Sequence, residues 1–155
     1  MIQVINHVNI VVTDLDRSER FYVDVLGFRA TRRGHLEGPW IEAVSGLQGV
    51  RADVTFLEPP GGGPRIELIA YASPRGEAPA ANSAPNTVGL RHLAFTVDDM
   101  DAAVARLEAA GVALVGGPME VPAGVVRHAE GRKRLCYFLD PDGVLLELAE
   151  YRDER

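Results

Sequence analysis

Two stretches of the chain, "RIELIAY" (65–71) and "LLELAEY" (145–151), set a carboxylate in the middle of an apolar run, at Glu67 and Glu147. Two histidines, His7 in "INHVNIVV" and His92 in "LRHLAFTV", stand in runs of the same kind. Two imidazoles and two carboxylates form a donor set for a borderline divalent ion: imidazole favours Zn, Ni, Co or Fe, and carboxylates extend the range to Mn. The carboxylates also cancel the charge of the ion, which offsets much of the cost of burying them. An octahedral ion held by four side chains would keep two positions open for water or substrate, as catalysis requires. Taken singly, each residue has a simpler explanation. A strand histidine is more often structural, and Arg65 offers Glu67 an ion pair from the same strand face. What changes the balance is that the four occupy matched points of a repeat.

Aligning "INHVNIVVTDLDRSERFYVDVLGF" (5–28) with "LRHLAFTVDDMDAAVARLEAAGV" (90–112) puts His7 on His92, Val12 on Val97, Asp14 on Asp99, Leu15 on Met100 and Asp16 on Asp101. A repeat of this length means a duplicated structural unit. His7 and His92 are 92 − 7 = 85 positions apart, Glu67 and Glu147 147 − 67 = 80, so the second copy is five residues shorter between its histidine and its glutamate. Hairpin loops absorb such a difference.

Each copy predicts the same elements. Residues 3–12 alternate and are rich in Val and Ile, a strand; "DLDRSERFYVDVLGF" then starts a helix near an Asp and ends it at Gly27. Further strand follows: a short one around 40–44, "ADVTFLE" (52–58), the turn "PPGGGP" (59–64), and "RIELIAY". In the second copy "LRHLAFTV" is a strand and "DMDAAVARLEAAG" a helix; strands follow near 112–115 and 125–129, and "LCYFL", the turn "DPDG" and "VLLELAEY" form a last hairpin. The pattern is two βαβββ modules, 1–71 and 90–151, joined by the Pro-, Ala- and Asn-rich linker 72–89. Alternation lets His7, Glu67, His92 and Glu147 share one kind of strand face while Val and Leu take the other.

A chain of 155 residues with 46% hydrophobic and 25% charged residues has the balance of an ordinary globular protein, and no apolar run is long enough to span a bilayer. The N-terminus lacks the basic flank and cleavage site of a secretion signal, so the cytoplasm is the expected compartment. One cysteine, Cys136, excludes an internal disulfide and a thiolate zinc cluster. The net charge of −6 argues against nucleic acid and anionic membranes and in favour of a small-molecule partner. The basic run "GRKRL" (131–135) could hold an anionic substrate group locally, although a solvated loop before a strand is its simpler reading.

The paired "NHVNIVVTDLDRSERFYVDVLGF" and "RHLAFTVDDMDAAVARLEAAGV" segments, with "RIELIAY" and "YFLDPDGVLLELAEY", resemble the vicinal oxygen chelate superfamily: glyoxalase I, methylmalonyl-CoA epimerase, extradiol dioxygenases, fosfomycin-resistance thiol transferases and bleomycin-binding proteins. The resemblance covers nearly the whole chain outside the linker. It implies an α+β fold, one domain of two tandem βαβββ modules in an incompletely closed, cup-shaped mixed β-barrel around one divalent metal ion (Zn, Ni, Co, Mn or Fe). It also implies a homodimer and a small substrate whose neighbouring oxygens the metal chelates. His7, Glu67, His92 and Glu147 fall on the ligand positions. Because a metal-bound Glu is implicated as the base of glyoxalase I, Glu67 and Glu147 are also the implied catalytic residues.

The chemistry implied is proton movement next to a chelated carbonyl, by an isomerase, an epimerase or a glyoxalase-like lyase. Extradiol dioxygenases and fosfomycin-resistance enzymes use two His and one Glu, so Glu67 favours the four-ligand branch; an iron-dependent ring-cleaving dioxygenase is the alternative and a metal-free binding protein the remote third. "QGVR" (48–51) resembles a stretch of methylmalonyl-CoA epimerase, but the acidic residues that precede it there are Gly46 and Leu47 here, and that enzyme has Gln at Glu67. Glyoxalase I fits in all four ligands but not over 29–58. Epimerases acting on epi-valiolone share the proton-shuttling logic. Among other residues, His35 and His128 are expected on loops or a pocket rim, Glu42 on a surface strand, and Trp40, Tyr71, Tyr137 and Tyr151 in packing roles. "GGG" (61–63) is not a phosphate loop, since Pro64 and a strand follow it.

Overall fold

The structure, a computed structural model, describes residues 1–77, 84–122, 124 and 131–152. The chain divides into two compact units, 1–78 and 79–155. In the first, β1 (His7–Val11) runs parallel to β4 (Arg65–Ser73), β4 is antiparallel to β3 (Arg51–Glu58), and β3 to β2 (Arg29–Glu37), giving the order β1-β4-β3-β2. In the second, β5 (His92–Thr96), β8 (Leu145–Arg152), β7 (Arg132–Leu139) and β6 (Met119–Glu120) repeat that order as β5-β8-β7-β6. The fold is α+β, built as two βαβββ repeats, as the sequence predicts.

The aligned aspartates start the crossover helices. Asp14 caps α1 (Leu15–Arg20) by accepting the Arg17 N–H at 2.9 Å, and Asp99 caps α3 (Met100–Ala109) by accepting the Ala102 N–H at 2.9 Å. Helix α1 widens into a π-helical turn, Phe21–Val25, and the chain leaves it at Gly27, whose φ of +78° suits glycine. Helix α1 packs on β3 and β4. Strand alternation therefore sends Ile66 and Leu68 to the helix side, where they are buried with Tyr22 and Leu57, and leaves Glu67 on the other face. In the second unit Leu146, Leu148 and Glu150 take the helix side, and Glu147 takes the opposite face.

Several local expectations change. Residues 40–44 are not a strand but lie in α2 (Pro39–Ser45): Pro39 opens the helix, Gly46 closes it in the left-handed region at φ +71°, and Ser45 Oγ bonds back to the Ile41 carbonyl at 2.7 Å. Glu42 is thus helical, and its Oε1 accepts the Gly49 N–H at 2.8 Å. The first strand of this stretch is instead β2, an edge strand of nine residues with only Leu36 half-buried; so few apolar residues give no periodicity to read. Residues before His7 are not strand, and Ile2, Val4 and Ile5 stay exposed. Trp40 is exposed rather than in the core. Of the strand expected near 112–115, one bridge remains, Leu114 to Phe138, and 125–129 and His128 lie outside the described residues, as do positions 78–83 of the expected linker.

Candidate metal centre

Each sheet brings together one histidine and one glutamate. On β1 and β4 the register pairs Asn9 with Glu67, which puts His7 one diagonal step away on the same face; on β5 and β8 it pairs Ala94 with Glu147 and puts His92 in the identical place. His7 Nε2 lies 3.5 Å from Glu67 Oε2, and His92 Nε2 lies 3.3 Å from Glu147 Oε2. Both distances exceed the usual hydrogen-bond range of about 2.7–3.2 Å. Among the described residues no cluster of three or more His, Cys, Asp or Glu side chains stands in ligand geometry, so the sequence-predicted four appear as two pairs.

The surroundings of the pairs differ. In the first unit His7 Nδ1 is 2.9 Å from Asn6 Oδ1, an amide oxygen that accepts, so Nδ1 is the donor of that bond and Nε2 faces Glu67. Asn9 Nδ2 donates to Glu67 Oε2 at 3.1 Å and to its carbonyl at 3.2 Å. Arg65 does not pair with Glu67: its Nη2 donates to Asn6 Oδ1 at 2.7 Å and its guanidinium sits 5.2 Å over Phe56, whose edge also meets His7. Asn6 and Arg65 continue into a groove of about 1070 Å³ that also involves Val4, Ile5 and Pro64.

In the second unit Glu147 is buried at 3% exposure and receives Lys133 Nζ on Oε1 at 2.7 Å. Burial pulls the Lys133 ammonium down, but the hydrogen bond and charge of Glu147, with help from Tyr151, outweigh it and hold the group above the ordinary lysine range. Burial and the adjacent Glu147 carboxylate push the Tyr137 hydroxyl up, and the Tyr137 ring lies 5.2 Å from His92. The basic run is therefore not a loop. Arg132, Lys133 and Arg134 begin β7; Arg134 turns to the helix side, meeting Asp101 at 2.9 Å, and Lys133 turns to the face of Glu147. The sequence reaches Lys133 only within the basic run 131–135, as a group that could hold an anion locally, and does not single out Asn9. For Asn9 the signal was present, a polar side chain two residues after His7 in an apolar strand. For Lys133 it depends on β7 beginning at Arg132.

A family model for the Glyoxalase/Bleomycin resistance protein/Dioxygenase superfamily matches residues 4–148. The chain belongs to this superfamily. Its relatives there include the uncharacterized protein YaeR of Escherichia coli (strain K12), 35% identical over 94% of this chain and 95% of that protein. A 2-epi-5-epi-valiolone epimerase from an Actinomyces species is 30% identical over 93% of this chain and 77% of its own length. The crystal structure of a glyoxalase family protein from Bacillus cereus superposes with a TM-score of 0.81 at 33% identity, covering 97% of this chain and 95% of that one. Superfamily membership covers enzymes of the glyoxalase and dioxygenase kinds and agrees with the resemblance carried by the paired segments. The donor chemistry of both pairs, imidazole nitrogen facing carboxylate oxygen, fits a divalent metal. No described helix is long and apolar enough to cross a membrane.

Proposed function

We propose that the protein is a divalent-metal-dependent isomerase or epimerase, or a glyoxalase-like lyase, that moves a proton next to the carbonyl of a small hydroxycarbonyl substrate. His7, Glu67, His92 and Glu147 would hold the ion, one of Zn, Ni, Co, Mn or Fe. A bound ion would supply Lewis acidity, polarising the substrate carbonyl so that the neighbouring C–H becomes acidic. The observation that carries this reading is the register identity of the two pairs: each histidine stands one diagonal step from its glutamate, on the face away from the helix. The epimerase named among the relatives supports the choice of reaction class.

The chain's own groups divide the work. Glu147 has both oxygens engaged, Oε1 with Lys133 and Oε2 beside His92, and serves chiefly to hold and orient. Glu67 takes a hydrogen bond from Asn9 on Oε2, while no described group donates to its Oε1, which leaves that oxygen free to accept the substrate proton. Asn9 keeps the carboxylate plane fixed. The single, buried Cys136 thiol supports a cytoplasmic setting, and the family resemblance supports a homodimer.

The test is elemental analysis of tag-free protein, wild type beside Glu67→Ala. About one ion per chain in the wild type, lost in the variant, is the expected result. Iron retained in both would replace this reading with a three-ligand dioxygenase, and no metal in either would leave a binding protein.

A further inference from the structure

The two modules match at the metal-pair positions but not at the residue that reaches the carboxylate from the neighbouring strand. Lys133 pairs in register with Tyr151, four residues beyond Glu147 on the same face; the equivalent position of the first module, opposite Tyr71, is Ala52. Ala52 is 1% exposed and belongs to an apolar cluster with Val54 and Ile69. Glu67, 17% exposed and bonded by Asn9, is accommodated with no described lysine or arginine on its carboxylate, whereas Glu147, 3% exposed, carries Lys133. An ammonium at 14% exposure is costly to keep, and a chain of net charge −6 keeps it on one copy alone.

An ammonium has three donors. Glu147 Oε1 takes one at 2.7 Å and the Tyr151 side chain takes another, with the ammonium 5.8 Å from the ring centre. Among the described residues that leaves one N–H of an ammonium whose side chain extends from the strand face that carries Glu147. We infer that Lys133 forms an anion subsite beside the second pair, and that the substrate carries a carboxylate next to its hydroxycarbonyl oxygens. This rests on the metal reading above: two carboxylates balance a divalent ion, and Lys133 adds one positive charge, which a monocarboxylate neutralises. Arg65, two residues before Glu67, is committed to Asn6 and Phe56.

The experiment compares hydroxypyruvate with dihydroxyacetone, which differ in carboxylate against hydroxymethyl, by calorimetric titration of Mn-loaded protein whose metal content is measured separately. Lys133→Gln keeps a donor for Glu147 and guards against misfolding; Lys133→Arg keeps the charge. Hydroxypyruvate affinity is expected to fall about tenfold or more beyond any change in dihydroxyacetone affinity in Lys133→Gln, and that extra loss to disappear in Lys133→Arg. Equal loss for both compounds, or no loss for either, overturns the inference. If the wild type holds no metal, the four-ligand reading fails by itself, and the same comparison on metal-free protein still decides the role of Lys133.

Discussion

Glu150 Oε1 accepts the backbone N–H of Met100 at 3.2 Å, so the last strand of the second module caps the helix of the same module with a carboxylate that is 3% exposed. The same group meets Arg152 Nε at 2.9 Å and Arg134 Nη1 at 3.5 Å. A buried anion that satisfies a helix N-terminus and two guanidinium groups ties strand, helix and neighbouring strand into one unit. Glu150→Ala is expected to destabilise the protein by roughly 2–4 kcal/mol in urea unfolding, and Glu150→Gln by less, because the amide oxygen still accepts the Met100 N–H. Equal losses for the two variants would remove the cap from the explanation.

Glu147 and Lys133 should behave as a coupled pair. Glu147→Gln leaves a largely buried ammonium without its counter-charge and is expected to lower stability by about 3 kcal/mol. Adding Lys133→Met should recover more than half of that loss, so that the double variant loses less than the sum of the two single ones. Additive effects would mean that the 2.7 Å contact contributes nothing to folding.

His35 gives a pH-dependent contrast on the edge of the first sheet. It lies on β2, not on a loop, with Nδ1 2.8 Å from Asp53 Oδ1 and Nε2 3.5 Å from Glu37 Oε2. The Asp53 hydrogen bond, opposed by desolvation and aided by the charges of Asp53 and Glu37, raises the imidazole above its ordinary value. A raised histidine stabilises the fold fully below the unfolded value of about 6.5, and that contribution disappears as pH rises through the folded value. Urea unfolding of wild type and Asp53→Asn should therefore differ more at low pH than at high pH, and NMR titration should show His35 moving down in the variant. A pH-independent gap would rule out the ion pair as its source.

Gly46 closes α2 at φ +71°, and a Cβ there would meet nothing within 4 Å. Gly46→Ala is thus expected to cost about 1 kcal/mol from backbone conformation alone, while Gly61→Ala, with equal space and ordinary φ, should cost little. Circular dichroism melts of the two variants check the difference.

The parts legible in the sequence were those that local chemistry specifies twice. The Asp14 and Asp99 caps, the alternation around Glu67 and Glu147, and the "DPDG" turn each recur or carry a strong turn signal, and the structure places them as read. Helix α2 was missed because "WIEAV" carries strand-forming residues, and only Pro39 and Gly46 at its ends mark it as helical. Strand β2 was missed because an edge strand with one half-buried residue has no hydrophobic period. The role of Lys133 depends on register across β7 and β8, a long-range pairing that spacing along the chain does not encode. The choice of His7, Glu67, His92 and Glu147 came from the repeat, and elemental analysis is its test.

The exposed edge strand β2 has one more effect. Its outer side is available to any extended segment seeking backbone partners, the ordinary route to edge-to-edge aggregation. Arg29, Arg32 and Arg33 stand along it, and of its nine residues only Ala30 and Leu36 are aliphatic. A second copy approaching by that edge meets solvated ion pairs, Arg29 with Glu58 and Arg33 with Asp16 and Glu19, and little greasy surface. The same poverty of apolar residues that leaves β2 without a hydrophobic period makes its edge a poor template for another strand.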